Sequence, residues 1–457
     1  MNIINEINDY LWVIVIVLLI GSAIYFTIRS RGVQFRNMRD AIRITLGKDT
    51  KTKHQIGSFQ AFAVSLACRI GTGNLAGVAS AIFIGGPGAV FWMWIMALFG
   101  AATAFVEATL AQLYKRKGTD SFYGGPAYYM THGLHRKWMG ILVAILLTIT
   151  FGMANQLLQS NTLISALNDA LGCDKVIIGL VLMVMTFLII FGGIHRIARF
   201  TSLCVPIMAI GYLTIALYVI LINIGELPKV LKLIFDGAFG IQQVAGGLFG
   251  ATIMQGIKRG LFSNEAGEGS APNAAAIANT SHPIKQGMLQ AFGVFVDTLV
   301  VCTCTAMIIL LSGLYNCGDD GILLTSNALQ TEIGPVGKYF ITAAIFLFAY
   351  STIISNYFYG ETNIRYITQS KKILFAFRII SGLILFSAVW VTLQEAWSLV
   401  DIMMGCLTIC NLAAIIPLSK YVWKLLDDYR EQKKAGKEPT FHKSQMPDIQ
   451  SDIECWE

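Results

Sequence analysis

Gly71-Thr72-Gly73-Asn74 interrupt an apolar stretch, residues 62–84 (FAVSLACRIGTGNLAGVASAIFI), that is long enough to lie in a bilayer. Glycine weakens a helix, and unwound backbone at membrane depth survives only where protein or a filled cavity surrounds it. There the freed N–H groups attract a carboxylate, the freed carbonyls attract a cation or an ammonium group, and the Asn74 amide serves either. Residues 244–262 (VAGGLFGATIMQGIKRGLF) repeat the pattern, with Gly246, Gly247, Gly250, Thr252, Gln255 and Gly256 as candidate break and ligand positions. Two such interruptions in matching halves of a chain mark the binding site of a secondary carrier. The competing reading is a small-residue packing face, and Gly246 with Gly250 do form a GxxxG pair. Polar Thr72, Asn74, Thr252 and Gln255 are poor lipid-facing residues, which favours binding.

Other residues add to this chemistry. Ser351 and Thr352 present adjacent hydroxyls, hard oxygen ligands suited to a small cation, although such hydroxyls also bond to preceding carbonyls. Gln156 and Gln159 lie one turn apart; they either reach a polar ligand or tie helices together. Arg69, Glu107 and Asp297 fall inside apolar segments, where a charge must pair or face water. The pairing of Arg69 with Glu107 or Asp297 is expected to serve either structure or coupling. Residues 258–276 (KRGLFSNEAGEGSAPNAAA) read as a helix–loop–helix gate closed by ion pairs among Lys258, Arg259, Glu265 and Glu268. The glycines at 71, 73 and 77 have the wrong spacing and no βαβ context for a dinucleotide site. The six histidines all fall in loops or tails, so no His–carboxylate cluster lies within a span and an enzyme is not expected. The nine cysteines include no Cys-x-x-Cys pair and read as small core residues rather than metal ligands.

These residues must be positioned by spanning helices. The 457-residue chain is 55% hydrophobic and 13% charged, where a soluble protein carries about a quarter charged residues. Its net charge of +7 lies in the connections between apolar segments and is not a nucleic-acid signal. Eleven spans are expected, at 10–29, 58–84, 89–114, 139–168, 175–193, 200–224, 244–278, 288–313, 338–366, 374–393 and 397–418. The first reads as a retained helix rather than a cleaved signal. Lysine and arginine cluster in alternate connections, which predicts the N-terminus outside and the C-terminus in the cytoplasm. Without the first span, ten remain as five plus five, each unit opening on a broken helix from the opposite side, an inverted repeat. The division is then 1–54 (first helix and basic loop), 55–225 and 226–419 (the two repeats), and 420–457, a frayed tail.

The strings CRIGTGNLAGVASAI, FVEATLAQLYK, GGPAYYM, RGLFSNEAGEGSAPNAAA, VDTLVVCT and NYFYGE resemble the alanine or glycine:cation symporters, which are sodium-coupled amino-acid carriers of the cell membrane. The resemblance implies an all-α, leucine-transporter-type fold with one extra N-terminal helix. It implies that Thr72, Gly73, Asn74 and a glutamine best matched by Gln159 hold the amino acid. It also implies a sodium site built from the Ala67 and Ile70 carbonyls with the Ser351 and Thr352 hydroxyls. Some members carry tryptophan where this chain has Asn356, so a larger or more polar substrate than alanine or glycine enters the expectation. The expected function is sodium-driven uptake of a small neutral amino acid by alternating access. The alternatives are proton coupling through Glu107 or Asp297, and a channel, which leaves two broken helices unexplained.

Overall fold

The computed structural model describes residues 2–47, 56–118, 121–239 and 248–457. Gly246 and Gly247, half of the second expected break, lie outside them. In chain order the helices are α1 (Asn2–Arg29), α2 (Val33–Arg36), α3 (Met38–Leu46), α4 (Ser58–Arg69), α5 (Val78–Gly85), α6 (Ala89–Leu113), α7 (Pro126–His132), α8 (Lys137–Ile149), α9 (Gln156–Leu171), α10 (Lys175–Ile190), α11 (Gly193–Ile222), α12 (Leu227–Phe239), α13 (Leu248–Asn264), α14 (Ala271–Ala276), α15 (Pro283–Val294), α16 (Thr303–Leu311), α17 (Gly321–Ile333), α18 (Pro335–Ile367), α19 (Lys371–Ser387) and α20 (Leu393–Lys434). A two-residue hairpin, Arg116–Lys117 with Phe122–Tyr123, is the only sheet among the described residues. Among the described residues, eight helical stretches are long and apolar enough to cross a membrane, and the bent pair α4–α5 makes a ninth. Of the other expected spans, α10 has 16 residues and α13 has 17.

The first interruption lies where the sequence put it. α4 ends at Ile70, whose ψ of 83° leaves the helix; a wide turn over Gly73–Gly77 leads into α5, and the two axes differ by 44°. Glycine is required by close approach. A Cβ on Gly71 would stand 2.4 Å from Thr352 Oγ1, and one on Gly73 would stand 2.8 Å from the Phe262 ring.

The second interruption is displaced from the expected position. α13 runs unbroken through Gly250, Thr252, Gln255 and Gly256. A Cβ on Gly256 would lie 2.5 Å from the Ala89 carbonyl oxygen, so this glycine lets α13 close onto α6. The break falls at 265–270, between α13 and α14, where Glu265, Gly267 and Gly269 have φ of +54°, +103° and +83°. Two glycines with positive φ in three residues end a helix far more firmly than isolated glycines on a packed face.

The tail is also corrected. α20 continues to Lys434, and the residues beyond it bury Phe441, Met446, Ile449, Ile453 and Trp456 although they lack helical periodicity. Trp456 Nε1 donates to the Gln112 carbonyl at 3.0 Å, and the Phe441 amide donates to the Ser281 carbonyl at 2.9 Å. Lys115 lies under this strap, with its Nζ 4.2 Å from the Phe122 ring centre and 4.4 Å from that of Trp456. Burial pushes its ammonium down to about 7.

Candidate functional site

The chain end of α4 exposes backbone groups that other elements then satisfy. Asn74 folds back so that its Oδ1 accepts from the Gly71 amide at 2.9 Å, and Gln159 Oε1 accepts from the Thr72 amide at 3.0 Å. Asn74 Nδ2 donates to Asp297 Oδ1 at 2.7 Å. Asp297 Oδ2 accepts from Ser263 Oγ at 2.7 Å and Thr298 Oγ1 at 2.8 Å. The two interrupted spans are thus joined through one buried carboxylate on the stretch between α15 and α16. All of these side chains are buried.

Several polar atoms around this junction have no partner: Thr72 Oγ1, Asn264 Nδ2, Ser355 Oγ and Asn356 Nδ2. Cys68 Sγ donates to Asn356 Oδ1 at 2.9 Å, which leaves the amide nitrogen of Asn356 unused. Buried unsatisfied donors and acceptors cost about 1–3 kcal/mol each, and their grouping is the mark of a ligand site rather than of a finished core.

Thr352 on α18 closes against the same break. Its Oγ1 lies 2.8 Å from the Ala67 carbonyl oxygen, 3.4 Å from that of Ile70 and 2.9 Å from that of Phe348. Three carbonyls and a hydroxyl therefore converge, a hard-oxygen set fit for a monovalent cation. Ser351 touches the set only through the Phe348 carbonyl, to which its hydroxyl donates at 3.0 Å, and it faces Met208.

The remaining expected site residues separate into near and far. Gln159 reaches the break, whereas Gln156 Oε1 accepts from Ser381 Oγ on α19 at 2.8 Å. Gly250, Thr252 and Gln255 stand away from the junction, beside the far end of α5: Thr252 Oγ1 donates to the Gly85 carbonyl at 2.7 Å. They sit on the unbroken part of α13, so they offer no unwound backbone.

The expected ion pairs form with other partners. Lys258 faces Asp9 at 3.8 Å, and Arg259 pairs with Asp401 at 2.8 Å. Arg69 forms no direct ion pair with Glu107 or Asp297; its Nη1 donates to the Gln290 carbonyl at 3.0 Å. Glu107 accepts from the Gly267 and Gly269 amides and from Asn411 Nδ2. The Arg259–Asp401 bridge was missed in the sequence, although Asp401 was readable as an acid inside an apolar run. It lies over an aromatic lid: Arg259 Cζ is 3.8 Å from the Trp397 ring centre, and Trp397 meets Phe262 edge-on at 4.7 Å. Phe262 and Trp397 in turn back onto Gly73 and Gly77, which closes the junction from the α5 side.

Broken helices meeting inside a helical bundle, with a hard-oxygen pocket beside orphaned polar groups, define a multi-pass secondary carrier. The sodium:alanine symporter family model matches residues 1–443, and the chain belongs to that family. It is 49% identical over 459 residues to the probable sodium/glutamine symporter GlnT of Bacillus subtilis, covering 100% of this chain and 96% of that protein. It is 45% identical over 457 residues to the amino-acid carrier protein AlsT of the same organism, covering 100% and 97%. The crystal structure of MhsT in complex with L-phenylalanine aligns with a TM-score of 0.56 at 13% identity, over 89% of this chain and 94% of that one, and shows the shared fold. The protein is a cation-coupled amino-acid symporter of the membrane, not an enzyme.

Proposed function

We propose that the protein is a sodium-driven carrier of a neutral amino acid, with an inward uptake direction across the cell membrane. The observation that carries this reading is the convergence of Thr352 Oγ1 with the Ala67 and Ile70 carbonyls at the end of α4. A sodium ion held there would fix the very turn whose Gly71, Thr72, Gly73 and Asn74 face the amino acid. Ion and substrate then raise each other's affinity equally, as linkage requires. One cation crossing at about 100 mV releases about 2.3 kcal/mol, enough for roughly fifty-fold accumulation of a zwitterion. Eleven spans, a five-plus-five inverted repeat, an external N-terminus and a cytoplasmic C-terminus complete the proposal, supported by the lysine and arginine distribution.

Uptake into proteoliposomes, with sodium replaced by potassium or choline at fixed pH, tests the coupling ion; undiminished transport sinks it. Thr352→Ala removes one of the converging oxygens. Its half-saturating sodium concentration should rise about ten-fold, the effect of one hydrogen-bond-sized interaction of about 1.4 kcal/mol.

The side-chain subsite is the finer part of the proposal. Asn356 Nδ2 and Ser355 Oγ are buried and unpartnered, so this wall suits a substrate that brings its own acceptor, such as a carboxamide. The glutamine named for the Bacillus subtilis relative is of that kind. Asn356→Trp fills and dries the wall. In competition uptake it should shift preference from glutamine toward alanine and glycine by about ten- to a hundred-fold, and an unchanged ranking places the subsite elsewhere.

A further inference from the structure

We propose that the turn between α13 and α14 is a proton-binding site, with Glu268 holding a proton that crosses inward with the amino acid; the co-transport half rests on the symport reading above. Four carboxyl groups are buried around this turn: Glu265 and Glu268 on it, Glu107 on α6, and Asp297 beyond α15, each no more than 1% exposed. One guanidinium, Arg69 at the end of α4, sits among all four. The other groups facing the cluster are neutral: Cys68 on α4, Tyr129 on α7 and Tyr359 on α18. Four anions against one cation leave the interior short of positive charge, and an uncompensated buried charge takes up a proton or a cation instead.

Hydrogen bonds say which carboxyl takes it. Glu107 accepts two backbone amides and Asn411 Nδ2, Glu265 accepts from Ser270 Oγ at 2.6 Å, and Asp297 accepts from Asn74, Ser263 and Thr298. Such donors favour the ionised form. Glu268 Oε1 accepts nothing. Among the described residues, no group of three or more acids, histidines or cysteines could hold a metal ion. Arg69 Nε and Nη2 and Tyr359 Oη are also buried without partners, which gives the site donors as well as an open acceptor. Unpartnered donors beside an unpartnered acceptor suit an ordered water that carries a proton to and from the glutamate.

Infrared difference spectra of the purified full-length protein, neutral against alkaline pH, test the site without any substrate. The wild type should show the carbonyl stretch of a buried protonated carboxyl, and Glu268→Gln should lose it. Glutamine is the isostere of neutral glutamic acid, so this variant should keep the wild-type melting temperature. A wild type lacking the band, a variant retaining it, or a variant that fails to fold for want of the carboxylate each overturns the proposal. In proteoliposomes containing a pH dye, wild-type sodium-driven uptake should acidify the lumen in step with amino-acid entry. Glu268→Gln should keep amino-acid exchange and lose the acidification; acidification equal to wild type overturns the proton co-transport. If no amino acid is carried at all, the symport reading fails while the spectra still decide the proton site.

Discussion

Replacing Asn74 by alanine is expected to abolish measurable amino-acid binding, with a loss of roughly a hundred- to a thousand-fold in affinity. Asn74 does three things at once. Its Oδ1 holds the Gly71 amide, its Nδ2 holds the Asp297 carboxylate, and by bridging them it links both interrupted spans. Alanine leaves a buried carboxylate short of a donor and an amide short of an acceptor. Leaving a buried donor or acceptor unpartnered costs about 1–3 kcal/mol, more when it is charged, and each 1.4 kcal/mol is tenfold. Because the turn is the surface proposed to meet the ligand, the loss should fall on binding more than on folding. Equilibrium binding to the purified protein, beside its melting temperature, separates the two. Wild-type affinity in Asn74→Ala would place the cargo elsewhere.

Arg259→Ala should reduce uptake by about a hundred-fold while leaving binding from the α5 side within a few-fold of wild type. The guanidinium and Asp401 are both nearly fully buried, and each is the other's direct charge partner at 2.8 Å. Removal of one leaves the other charged and dry, at about 3–5 kcal/mol. The same guanidinium stacks on Trp397, so the lid of Trp397 and Phe262 loosens with it. A carrier that cannot seal that side cannot complete alternating access, although its ligand still reaches the pocket. The pair Arg259→Met with Asp401→Leu should recover more activity than either single change, since matched apolar groups remove the stranded charge. If both single variants transport as wild type, the bridge is only a structural tie.

The sequence disclosed the first break more fully than the second. Gly71-Thr72-Gly73-Asn74 combined flexibility with polar side chains inside an apolar run, and both marks pointed to the same four residues. In α13 the two marks separate. Gly250 and Gly256 sit in an unbroken helix, Gly256 for packing against Ala89, whereas the real interruption carries two glutamates and falls in the stretch 258–276, which the sequence marks as a helix–loop–helix gate and not as the ligand-holding break. Spacing on one helix cannot reveal that distant elements shelter such a loop. Thr352 was legible because a hydroxyl in a span must find a carbonyl. Ser351, one residue earlier, is offset by the helical rotation of about 100° per residue and keeps only the Phe348 carbonyl. The Asn74–Asp297–Ser263 junction was half legible: Asp297 stood out as a buried acid, but its partners lie 223 and 34 residues away. The tail was misread because its apolar residues follow no period and each fills a separate notch.

That tail bears on the order in which the chain matures. Phe441 and Trp456 lean on Ser281 and Gln112, residues that leave the ribosome long before them. Until those late residues emerge, the hollow above Lys115 lacks its cover, and a protein halted near residue 435 would present a polar, wettable gap there.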